Sequence, residues 1–95
     1  MNMTASPESR EEAGHAVDQV LDASRAGNHA LASTLAKAAL ERGVWHPTLL
    51  EVRARWSAAR GCDAEALADL EALRAWSPED PVLLVRIAHL LTKLG

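Results

Sequence analysis

The side chains best suited to bind a metal or attack an electrophile are four histidines and one cysteine. His15, His29, His46 and His89 are scattered along the chain, and no two stand four residues apart, the spacing that puts two metal ligands on one helix face. Read simply, they are surface or turn histidines and need no further role. Cys62 falls at an expected helix start, where the positive end of the helix dipole could activate a thiol. The plainer reading is that it fills the place of a polar turn residue. Glu11 and Glu12 are adjacent carboxylates, but they belong to a solvated helix start. The chain has no glycine-rich phosphate loop, no nucleophile elbow and no paired carboxylates in a plausible cleft. The expectation is a protein that is not an enzyme, with no catalytic residue, cofactor or metal.

The bulk composition agrees. Lys and Arg total 10 against 13 Asp and Glu, so no basic excess is available for nucleic-acid phosphates. A lone cysteine cannot form an internal disulfide and fits a reducing compartment. The first residues, Met1 to Glu8, lack a basic cluster followed by an apolar run. No apolar stretch is long enough for a membrane. A cytoplasmic location is therefore expected, without nucleic-acid or membrane partners. Phe and Tyr are absent, and the aromatics are Trp45, Trp56 and Trp76. Ala and Leu dominate the apolar set, and both are strong helix formers. The fold class expected is all-α.

Five helices can be read from caps and periodicity. Residues 1–6 are expected to be flexible. Ser6-Pro7-Glu8 then has the form of a helix start. Ala13, Ala16, Val17, Val20, Leu21 and Ser24 lie on one face of the helix that follows, and Gly27 stops it. Asn28 can cap a second helix with Leu31, Ala32, Leu35, Ala36, Ala39 and Leu40 inward, ended by Gly43. Pro47 opens a third, with Leu49, Leu50, Val52, Ala54, Trp56 and Ala59, closing at Gly61. Asp63 or Cys62 starts a fourth, with Ala66, Leu67, Leu70 and Leu73 buried. Asp80 caps and Pro81 opens a fifth. Trp45 and Trp76 are expected to pack near hairpin junctions.

A fixed period runs through these elements. Gly27, Gly61 and Gly95 are spaced 34 apart (61 − 27 and 95 − 61), as are Pro47 and Pro81 (81 − 47). At the same offset Ala30 meets Ala64, Ala32 meets Ala66, Leu50 meets Leu84, and Ala54 meets Ala88. This pattern resembles the tetratricopeptide repeat, a helical hairpin of that length. The small residues that the family places at close helix contacts are matched by Ala54, Ala88, Ala32, Ala66 and Ala39. Its turn glycine is matched by Gly27, Gly61 and Gly95, and Pro78 matches its terminal proline. Departures include Arg53 and Gln19, where the family prefers Leu. The resemblance implies antiparallel hairpins stacked as a short right-handed solenoid over residues 7–95. Repeat one covers about 13–46, repeat two 47–80, and a half repeat 81–95.

In this family the first helices of successive repeats line a groove that holds a peptide. The corresponding positions here are Val17, Leu21, Ser24, Glu51, Arg55, Val82, Val85, His89 and Lys93, with Arg86 beside them. The implied function is a non-catalytic scaffold for a protein or peptide partner, one with an apolar anchor and an acidic group. The bland alternative is a set of solvated helix faces. A Lys and Asn clamp for chaperone tails is not implied, because its positions are Val17, Leu21, Val52, Val82 and Arg86 and only Arg86 fits. The fifth helix is apolar around most of its circumference. Leu83, Leu84, Ile87, Leu90, Leu91 and Leu94 are candidates for a self-association face giving a homodimer. The preferred explanation is that the chain is the N-terminal piece of a longer protein. The second functional expectation is accordingly an accessory or dimerisation domain of a larger bacterial enzyme, sulfotransferase-like or aspartyl-hydroxylase-like.

Overall fold

The structure, a computed structural model, describes residues 7–95, with side chains described from Arg10 onward. The expected flexible segment 1–6, including the Ser6 cap, lies outside the described residues. Five α-helices and no strand occur among the described residues: α1 (Pro7–Arg25), α2 (His29–Glu41), α3 (Pro47–Ala59), α4 (Asp63–Arg74) and α5 (Pro81–Leu94). The all-α class holds. The chain divides into two compact units, one ending at Leu49 and the other spanning Leu50–Gly95, so the boundary falls just inside α3.

The turns explain why the helices stop where they do. Gly27, Gly43 and Gly61 adopt φ of +79°, +88° and +79°. At Gly43 the amide N–H donates to Leu40 O and the next N–H, of Val44, donates to Ala39 O, each at 3.0 Å. That pair of bonds is the Schellman arrangement, which needs a left-handed residue at the position glycine occupies. Gly27 with Asn28, and Gly61 with Cys62, repeat it. The next helix starts at once. Asn28 accepts from Leu31 N at 3.2 Å to cap α2. His46 Nδ1 accepts from Thr48 N at 3.1 Å at the start of α3. Asp80 accepts from Val82 N at 3.0 Å to cap α5, with Pro81 at its first position. Cys62 stands at the cap of α4 but makes no side-chain bond there.

In the first unit α1 and α2 pack against each other. Buried positions are Ala16, Val20 and Ala23 on α1, and Ala32, Ala36, Ala39 and Leu40 on α2. Small residues let two helix backbones approach closely. Arg42 Nε lies 3.5 Å from Glu12 and links the ends of the two helices at the surface. Val44 is buried while its neighbour Trp45 is more than half exposed, as is Trp76 in the second unit. This corrects the expectation that both tryptophans pack at junctions. They follow helix ends in turns, outside the inward stripes.

The second unit uses charge as well as apolar packing. Ala54 of α3, Ala66, Leu70 and Leu73 of α4, and Leu83, Ile87 and Leu90 of α5 are buried. So is Asp69, only 5% exposed. Its two carboxylate oxygens accept from Arg53 Nε at 2.9 Å and Arg53 Nη2 at 2.7 Å, a bidentate pair joining α4 to α3. Lys93 Nζ lies 3.4 Å from Asp63 and joins the end of α5 to the start of α4.

Two outcomes are expected in urea unfolding. Cys62→Asn supplies the missing cap that Asn28 provides 34 residues earlier, and should stabilise the chain by about 0.5–1 kcal/mol. Asp69→Ala takes the bidentate carboxylate from Arg53 and should cost on the order of 3 kcal/mol. Arg53→Met combined with Asp69→Leu should recover most of that loss, because an apolar pair avoids the desolvation cost.

Candidate functional site

The second unit brings together part of the expected groove. Glu51 and Arg55 sit one turn apart on α3, and Arg86 projects from α5. Glu51 Oε2 accepts from Arg55 Nε at 2.6 Å, and Oε1 accepts from Arg86 Nη1 at 2.8 Å. One carboxylate thus bridges two guanidiniums from two helices. Three-quarters of the Arg55 side chain is exposed, whereas Arg86 and Glu51 are about one-third exposed or less. Charge-assisted bonds of this length are the strong kind. Two positive charges and one negative meet here, and Asp80 in the lining of the adjoining cleft adds a second negative charge.

Beside it lies a cleft of about 90 Å³ lined by Glu51, Leu73, Ser77, Asp80, Val82, Leu83 and Arg86. Small-molecule sites are usually about 300–1,000 Å³, so this space is small for a cofactor, and four of its seven lining residues, Glu51, Ser77, Asp80 and Arg86, are polar. Val82 and Val85 are 66% and 67% exposed. An apolar strip therefore runs beside the charged cluster.

The remaining expected groove residues fall differently. Val17, Leu21 and Ser24 belong to the first unit and are half-buried. His89 is exposed on α5, and Lys93 is engaged with Asp63. The basic patch is therefore less free than its sequence implies, since Arg55, Arg86 and Lys93 each face a carboxylate. The expected self-association face divides in two. Leu83, Ile87 and Leu90 are buried within the chain, which leaves Leu84, Leu91 and Leu94 exposed. An α-helix turns about 100° per residue, so the first three form one stripe and Leu84 and Leu91 flank it. Sequence reasoning missed the Arg53–Asp69 pair. Its signal was present: Asp69 lies on the same helical stripe as Ala66, Leu70 and Leu73, where a carboxylate requires a partner.

His15, His29 and His89 are exposed and His46 is half-buried. No group of three His, Cys, Asp or Glu side chains among the described residues is placed to hold a metal ion. No described helix is long and apolar enough to cross a membrane.

Burial pushes the Glu51 carboxyl up, but the hydrogen bonds and charges of Arg86 and Arg55 outweigh it and hold the group below the usual glutamate range. A lowered folded-state value means that the unfolded chain takes up this proton first as pH falls. The stabilisation is complete above the usual glutamate range and is lost as pH drops through the lowered value. Across that acid window, unfolding free energy should fall more steeply with decreasing pH in the wild type than in Glu51→Gln. Superimposable profiles would contradict this.

Comparison with known proteins finds no significant match to a family model, to a curated protein or to a solved structure.

Proposed function

We propose that the chain is a non-catalytic interaction scaffold of the tetratricopeptide-repeat type, and that the α3–α5 surface of its second unit binds a peptide segment carrying an apolar side chain next to acidic ones. The observation that carries this reading is the juxtaposition of two guanidiniums with exposed valines and a small cleft. The repeat assignment draws support from Gly27 and Gly61, which close their helices with the same pair of hydrogen bonds 34 residues apart (61 − 27). The exposed Arg55 side chain offers a guanidinium to an acidic group, and Val82 and Val85 give the surface apolar contact area. The same surface could serve a chain acting alone or as an accessory domain of a larger bacterial enzyme.

Homodimerisation through Leu84, Leu91 and Leu94 is the second reading, supported by their exposure. Three partly exposed leucines fall well short of the roughly 20–30 residues a side in a standard interface, so peptide binding is preferred.

The test is selection from a random peptide library followed by affinity measurement. Enriched peptides should carry a leucine or valine within two residues of Asp or Glu. The double variant Arg55→Glu, Arg86→Glu should bind them at least about tenfold more weakly. Selection of basic or purely apolar peptides, or unchanged affinity in the double variant, would overturn the assignment.

A further inference from the structure

Two stripes of α5 are apolar, and only one is covered. Leu83, Ile87 and Leu90 are buried where α5 packs on α4. Leu84, Ala88 and Leu91 lie about 100° further around the helix and are exposed, Leu84 by 39% and Leu91 by 52%. The 34-residue period shows what belongs there. One period back, on α3, Leu50 and Ala54 are 0% and 1% exposed and Ser57 is half-buried. Two periods back, on α1, Ala16, Val20 and Ala23 are all buried. α1 packs against the helix that follows it, and α3 is tied to its own follower by Arg53 and Asp69. We propose that Leu84, Ala88 and Leu91 are a seat for an antiparallel amphipathic helix of the α2 kind, supplied by a partner protein.

The seat dictates the chemistry of its occupant. Ala88 permits close approach of a second backbone, and the leucines on either side supply apolar contact. Arg86 and Lys93 lie roughly 160–180° around the axis from Leu84, so no charge of α5 faces an arriving helix. Its contact stripe is therefore uncharged, like Ala32, Ala36 and Ala39 of α2. One position separates the α2 kind from the α4 kind. Asp69 of α4 is buried against Arg53, but the residue of α5 one period after Arg53 is Ile87 (87 − 53). An aspartate arriving there meets no guanidinium, and burying an unpaired carboxylate is costly. The residue of α2 one period before Asp69 is Leu35 (69 − 35), which needs no such partner. Val82 and Arg86 of the peptide surface are each roughly 160° from Leu84, so this seat is separate from that surface and does not rest on it.

The probe is a capped peptide of residues 28–42. A lactam between Lys37 and Glu41, both exposed in α2, holds it helical. Its Leu35→Asp form is the comparison. Fluorescence anisotropy measures binding to the wild type, Ala88→Arg and Leu91→Glu. Both substitutions are at exposed positions, and circular dichroism verifies folding. The wild type should bind the probe saturably, and each variant should bind it at least about tenfold more weakly. The Leu35→Asp probe should bind the wild type at least about tenfold more weakly than the parent probe. No saturable binding, equal binding of the two probes, or affinity unchanged in both variants would overturn the proposal. Self-association of the free chain in sedimentation velocity that Leu91→Glu abolishes would overturn it in favour of a second copy as the occupant.

Discussion

Arg53 and Asp69 set the rotation of α3 in the second unit. Asp69 is buried on α4 and gives both oxygens to one guanidinium, so α3 must present Arg53 toward α4. Bidentate geometry tolerates little twist. On an α-helix, positions 51 and 55 lie about 160–200° around the axis from position 53. Fixing Arg53 on one side therefore turns Glu51 and Arg55 to the other, where Arg86 of α5 completes the cluster. Buried Leu50 and Ala54 hold α3 in the same rotation from its apolar side.

Three ion pairs connect the three helices two by two: Arg53 to Asp69, Glu51 to Arg86, and Asp63 to Lys93. They differ in weight. The first is largely desolvated, so removing one partner is costly. The third is more open to solvent and adds little by itself. The second is partly buried, with both side chains about one-third exposed or less.

Much of this architecture could be read from local chemistry. Gly27, Gly43 and Gly61 end helices because their backbone enters the left-handed region, and Asn28 and Asp80 start them because their side chains reach free amides. Those are short-range rules, and sequence carries them openly. The alternating burial of α5 was half legible: its leucines were evident, but which of them face inward depends on where α4 lies. The exposed tryptophans escaped because size suggests packing, while turn position decides exposure. The candidate site was the least legible part. Glu51 and Arg86 are 35 residues apart and Arg53 and Asp69 are 16 apart, so no helical period links either pair. Only Asp69, a carboxylate on an apolar stripe, signalled that a partner was required.

The most direct test is side-chain NMR of the arginine Nε–Hε groups during titration with an acidic, leucine-containing peptide. Arg53 and Arg55 each donate through Nε, one to a buried carboxylate and one to an exposed cluster. Resolved, shifted signals for both are expected in the free chain. On titration the Arg55 signal should move saturably while that of Arg53 stays in place. An Arg53 signal averaged with those of free arginines, or a peptide response that leaves Arg55 untouched, would contradict this reading.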